Sequence, residues 1–218
     1  MKKLYNVFLS FIICTSITAQ IKVACIGNSI TYGSGIDGRD SLSYPAQLQK
    51  MLGSDFIVRN FGRSGATLLK KGNLPYWSTP EYKAALAFMP EVVIIKLGTN
   101  DSKPFNWDNN KNDFENDYND LIRVFMNLGT VKKIFLCLPI PVIEDRWEIR
   151  KAVVETEIIS SIQKVAANNG LTVVDMYSPF LGKEMLIPDK IHPSAEGATV
   201  MAALLVPHLL TYRDNAKK

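Results

Sequence analysis

The chain has 218 residues, enough for one well-packed domain and short for two. With 47% hydrophobic and 21% charged residues it reads as an ordinary globular protein, not a disordered or fibrous one. A formal charge of +4 is too weak to imply a nucleic-acid partner, and no repeat or low-complexity tract stands out.

Met1-Lys2-Lys3 is a positive start, residues 4–17 are mostly apolar, and Ala19 is a small residue at a cleavage point. That layout predicts a secretory signal peptide over residues 1–19. It predicts a single mature domain over 20–218, secreted or periplasmic. Loss of Lys2 and Lys3 would lower the formal charge from +4 to +2. The apolar stretch is short for a membrane span, so no span is expected in the mature chain. Cys25 and Cys137 lie in separate apolar runs; an exported protein could join them in a disulfide, but core cysteines are more often small buried hydrophobes.

From residue 21 onward, strand-like and helix-like segments alternate. Residues 21–26 form an apolar run, and 44–52 read as a short helix with Pro45 in its first turn. Residues 56–60 are a second strand, and 81–88 a helix stopped by Pro90. Residues 92–97 are continuous and β-branched, as in a strand buried on both faces. Phe114, Tyr118, Leu121, Ile122 and Phe125 recur at helical spacing, and 134–138 form a fourth strand closed by Pro139 and Pro141. Val154, Ile158, Ile162 and Val165 mark another helix, ended at Asn168-Asn169-Gly170. Residues 171–174 are a fifth strand, and Ala198, Met201, Leu205 and His208 share one face of the last helix. Five strands alternating with helices predict one α/β domain with a parallel sheet.

In such a sheet, functional groups gather at the carboxyl ends of the strands. Gly27-Asn28-Ser29 follows the first strand, the segment 60–65 follows the second, and Gly98-Thr99-Asn100-Asp101 follows the third. Topology alone therefore groups Ser29, Gly65 and Asn100. A serine hydroxyl needs a base to become a nucleophile. His192, in a loop after the fifth strand, has Asp189 three residues earlier to orient its imidazole. His208, on an apolar stripe, reads as a packing residue. The Ser29 N–H, a glycine N–H from Gly62 or Gly65, and the Asn100 side-chain amide are candidate donors to an oxyanion.

Gly27-Asn28-Ser29-Ile30-Thr31, the run 60–67, Gly98-Thr99-Asn100-Asp101 and Asp189-Lys190-Ile191-His192-Pro193 resemble, in order, the four motif blocks of the SGNH (GDSL-type) hydrolases. The resemblance implies a flavodoxin-like three-layer α/β/α sandwich, here with the five-stranded parallel sheet, and ester hydrolysis; no cofactor is expected, and no His and Cys cluster has zinc spacing, so no metal is expected either. It implies Ser29 as nucleophile, His192 as base, Asp189 as its partner, and Ser29, Gly65 and Asn100 as the oxyanion hole. Asn28 departs from the family's usual aspartate.

The run 95–107 is similar to the branch holding sialate O-acetylesterases and other carbohydrate acetylesterases. The expected partner is then a small-molecule or glycan ester, with acetyl leaving by way of an acyl-enzyme. Phe105, Trp107 and Trp77 are candidates for a sugar platform, and Arg63 for a substrate carboxylate. A lipid esterase or thioesterase, and a non-catalytic carbohydrate-binding relative, are the alternatives. Two other patterns fail on context. Gly33-Ser34-Gly35-Ile36-Asp37-Gly38 starts well past the strand end and does not open a helix, so it reads as a mobile loop near Ser29. Asp108, Asn110 and Asn112 start a calcium-loop spacing, but Asp113 and Asn119 stand where it needs glycine and glutamate.

Overall fold

The structure is a computed structural model that describes residues 19–216. Apart from Ala19, the leader read at residues 1–19, with Cys14, lies outside the described residues. Five strands form one parallel sheet: β1 (Ile21–Gly27), β2 (Phe56–Gly62), β3 (Val92–Lys96), β4 (Lys133–Cys137) and β5 (Thr172–Val174). Their order is β2-β1-β3-β4-β5, the flavodoxin-like doubly wound order. Register pairs Gly27 with Gly62 on one side and with Lys96 on the other.

Side chains alternate across the sheet and divide the core in two. Ala24, Ile26, Val93, Ile95, Ile134 and Leu136 pack with Tyr118, Leu121, Phe125, Ile162 and Val165 from the helices Phe114–Met126 and Ile159–Asn168. Val23, Cys25, Ile94, Phe135 and Cys137 face the other way. They meet Tyr44 and Leu48 of Tyr44–Leu52 and Met201 and Leu205 of Ala195–Ala216. The result is the three-layer α/β/α sandwich. Cys25 and Cys137 are free, buried thiols on this second face. His208 is half-buried with its ring 5.5 Å from Phe135, a packing residue.

Most predicted segments fall within a residue or two of the observed ones. Two differences bear on the site. Residues 154–158, predicted as plain helix, form a π-helical stretch, Val154–Ile158, inside the helical run 151–168. The segment after β3, to which the sequence pattern assigns no element, forms a helix at Pro104–Asn110, with Pro104 in its first turn. Among the described residues no helix is long and apolar enough to cross a membrane.

Candidate active site

Strand β1 ends at Gly27, and Asn28 caps a single helical turn, Ser29–Tyr32. The Asn28 Oδ1 accepts the Ile30 N–H at 3.1 Å, so the amide fills the capping role an aspartate would fill. Its Nδ2 is buried and has no hydrogen-bond partner among the described residues. Ser29, at the first position of that turn, has no intrahelical acceptor for its own N–H. Its hydroxyl lies 2.8 Å from His192 Nε2.

On the other side of the ring, His192 Nδ1 lies 2.7 Å from Asp189 Oδ2. The Asp189 Oδ1 accepts the backbone N–H groups of His192 at 2.6 Å and Ile191 at 2.9 Å. Burial alone would raise this carboxyl. The two backbone bonds and the imidazole outweigh burial and hold it below its ordinary value. An ionised carboxylate only accepts, so Nδ1 carries the proton and Nε2 is left as the acceptor facing Ser29. The three side chains thus form one continuous hydrogen-bonded chain, although 163 residues separate Ser29 from His192.

Gly62 and Gly65 take different places. A Cβ on Gly62 would lie 2.2 Å from the Tyr32 backbone nitrogen, so glycine is needed there for β2 to meet the Ser29 turn. The Gly62 N–H is bonded to Asn60 Oδ1 at 2.9 Å. Gly65 has φ +81° and lines the recess over Ser29. Asn100 lines it too. Its Nδ2 donates to Ala66 O at 3.1 Å, which orients the amide and leaves its second N–H for a ligand.

Buried groups behind these loops hold them in place, and sequence reading gave them no role. Asp101 accepts the N–H groups of Leu69 at 2.8 Å and Leu68 at 3.1 Å. Burial pushes its carboxyl up to about 6 against those two bonds. Asn106 donates to Asn100 O at 2.8 Å and accepts the Asn73 N–H at 2.8 Å. Lys96, at the end of β3, is fully buried and donates to Thr99 Oγ1 at 3.3 Å. Burial lowers its ammonium to about 7.

The recess has a volume of about 200 Å³ and is lined by Ser29, Ser34, Ser64, Gly65, Asn100, Lys103, Trp147, Ile149 and His192. Wider clefts lie elsewhere on the surface, such as one of about 560 Å³ between Tyr32, Arg39 and Glu81. They hold neither Ser29 nor His192 and so carry no such chemistry.

The structure parts the residues of the expected aromatic platform. Trp107 is 3% exposed, stacks edge-on against Phe114 at 5.2 Å and donates its indole N–H to Glu157. The Pro104–Asn110 helix turns it into the core. The same helix points Phe105 outward, 63% exposed and outside the recess lining. Trp77 packs against the core and bonds Leu68 O. Arg63 does not line the recess either, and its guanidinium lies 3.5 Å from Glu81. Sequence reading also passed over Trp147, because Trp147-Glu148 has none of the composition of a turn.

A doubly wound sheet carrying a Ser–His–Asp chain at its carboxyl edge has the layout of an α/β serine hydrolase. The GDSL-like lipase/acylhydrolase family profile matches residues 25–200. The chain belongs to that family. It is 43% identical over 203 residues to an acetylxylan esterase of Xylanibacter ruminicola, covering 85% of this chain and 42% of that protein. It therefore spans less than half the length of this relative. Solved structures share the fold. A carbohydrate acetylesterase from Sinorhizobium meliloti superposes with a TM-score of 0.70 at 17% identity, over 88% of this chain and all of that one. An M. smegmatis aryl esterase gives 0.70 at 19% identity, over 88% of this chain and 99% of that one.

Proposed function

We propose that this protein is an exported serine esterase that removes acetyl groups from carbohydrates, with residues 20–218 as one catalytic domain. The observation that carries this reading is the hydrogen-bonded chain Ser29–His192–Asp189 opening onto a recess of about 200 Å³. Pockets that bury drug-sized ligands run to roughly 300–1,000 Å³, so this one suits a small acyl group.

In this reading, Ser29 Oγ attacks the acetyl carbonyl while His192 Nε2 takes its proton. The backbone N–H groups of Ser29 and Gly65 and the Asn100 amide receive the developing oxyanion. His192 then protonates the departing sugar oxygen and leaves acetyl on Ser29. Water, deprotonated by His192, attacks that ester; the bond to Ser29 Oγ breaks, His192 returns the proton to Oγ, and acetate leaves. Asp189 keeps the imidazole in the required tautomer and stabilises its charged form.

The acetylxylan esterase relative supports a glycan acetyl ester. Sialic acid has less support, since Arg63, the group suited to its carboxylate, is turned to Glu81 outside the recess. Export rests on the leader pattern at residues 1–19. The test is acetate release from acetylated xylan by wild type and by Ser29→Ala. Wild type should release acetate, and Ser29→Ala should release none while unfolding at the same temperature. Full activity in Ser29→Ala would remove the nucleophile. Equal turnover of acetate and long-chain acyl esters would favour a lipid substrate instead.

A further inference from the structure

One wall of the recess is a hairpin of unusual composition. Arg146 and Ile149 form an antiparallel bridge. The Arg146 N–H donates to Ile149 O at 3.2 Å, and the Ile149 N–H to Arg146 O at 2.8 Å. The two residues between them, Trp147 and Glu148, have φ of +50° and +64°. Two central residues at positive φ make a type I′ turn, which normally takes Asn-Gly. Bulky L-residues are held there against their steric preference, and such strain persists only where the surroundings enforce it.

The surroundings do so from two sides. The Ile143 N–H donates to Lys190 O at 2.9 Å, and Arg146 Nη1 to Asp189 O at 3.3 Å. The Arg150 N–H donates to Ser102 Oγ at 3.0 Å, and its Nε to Ser102 O at 2.6 Å. Ile149 is buried beneath the turn. The hairpin is therefore pinned both to the loop carrying Asp189 and His192 and to the loop after β3.

At its tip, the Trp147 ring lies 5.5 Å from the His192 ring, inclined by 43°, and lines the recess. The Arg146 guanidinium sits 4.6 Å from the indole centroid. Half of Trp147 is nevertheless exposed, at 50%. Core packing does not account for a strained, half-exposed indole at this position.

The chemistry says which part of a substrate it would meet. His192 must hand its proton to the leaving oxygen, so the alcohol part of the ester leaves on the His192 side. The acyl oxygen turns toward Gly65 and Asn100. Trp147, beside His192, therefore faces the alcohol. We propose that Trp147 is the platform on which the acetylated sugar ring stacks, its indole covering the apolar C–H face of a pyranose. This rests on the carbohydrate reading above and assigns the sugar subsite to the 146–149 hairpin. An amphipathic aromatic ring suits a ligand that is apolar on one face and hydroxylated at its rim.

The test compares kcat/KM on acetylated xylotriose with kcat/KM on ethyl acetate, which has no ring to stack. The variants are Trp147→Asn, which tolerates the left-handed backbone, and Trp147→Phe, which keeps an aromatic face. Both are checked by thermal unfolding. The ratio of the two constants should fall roughly three- to tenfold in Trp147→Asn, through KM on the sugar, and be largely restored in Trp147→Phe. An unchanged ratio, with both substrates cleaved, overturns the platform and leaves the acetylesterase reading standing. Equal losses on both substrates overturn it too, because Trp147 would then act on His192. Wild-type cleavage of ethyl acetate without any cleavage of acetylated xylotriose removes the carbohydrate reading, and the platform with it.

Discussion

Replacing Asp189 with asparagine exchanges one oxygen for an NH₂ group, and the structure decides which way the amide turns. Oδ1 accepts two backbone N–H groups, from His192 at 2.6 Å and Ile191 at 2.9 Å. An NH₂ placed there would face two donors. The amide must keep its oxygen on those bonds and put its NH₂ where Oδ2 now meets His192 Nδ1 at 2.7 Å. A donor at that point requires Nδ1 to accept, so the ring proton moves to Nε2. The Nε2–H then faces the Ser29 hydroxyl, 2.8 Å away, and can no longer take its proton.

The expected loss in kcat/KM for Asp189→Asn is about 10⁴-fold. At ~1.36 kcal/mol per factor of ten, that is about 5.5 kcal/mol of transition-state stabilisation. Stability should barely change, because both backbone bonds survive. Asp189→Ala makes the contrast. It strips the acceptor from both N–H groups and should also lose about 1 kcal/mol of stability, a figure reduced because the carboxylate is partly solvated. The assay is steady-state hydrolysis of a small activated acetate ester, with thermal unfolding followed on the same samples. An Asp189→Asn enzyme within tenfold of wild type, at unchanged Tm, would refute the tautomer argument.

If Asn100 donates to the oxyanion as proposed, Asn100→Ala should lower kcat by ~10²–10³ with little change in KM; a loss confined to KM would count against that role. Asp101→Asn leaves one acceptor oxygen for the Leu68 and Leu69 N–H groups, so stability should fall by about 1–3 kcal/mol in urea titration; an unchanged midpoint would show that the carboxylate does not hold the loop. Lys96→Met should give a pH-dependent gain in stability. Burial lowers the wild-type ammonium from 10.5 to about 7, so above pH 7 the unfolded chain binds the extra proton and wild-type stability rises with pH. The methionine variant lacks that dependence, so its advantage at pH 7 should shrink by about 2 kcal/mol by pH 9, the slope reaching its full ~1.36 kcal/mol per unit only once the folded lysine has lost its proton. Parallel curves for the two proteins over that range would show that Lys96 keeps its charge when folded.

The β-branched run 92–97 announced a strand buried on both faces, and β3 is that strand, ending one residue earlier. The 44–52 helix was legible from Pro45 and its apolar spacing, and it runs over those residues. Ser29, Asn100, Asp189 and His192 stood out because each sits in a short local pattern just past a strand or in a loop. Strand order then brings them to one edge. The aromatic residues were not legible in the same way. Trp107 and Phe105 are two apart in sequence, yet the Pro104–Asn110 helix sends one to the core and the other to solvent. Trp147 sits in a turn whose residues carry no turn signature, so nothing local marked it.

Alternation of apolar strands with amphipathic helices, and short blocks that place a serine, an asparagine, an aspartate and a histidine, were fixed by the chain alone. Those features depend on near neighbours, through side-chain period, caps and turn chemistry. Which glycine lines the recess, which way Trp107 turns, and why Trp147 is held in a left-handed turn beside His192 were decided by tertiary contacts. Those contacts join segments tens of residues apart, such as Arg150 to Ser102, across 48 positions, and Arg146 to Asp189, across 43. No local pattern records them, because the groups that enforce the geometry become neighbours only when the sheet has formed.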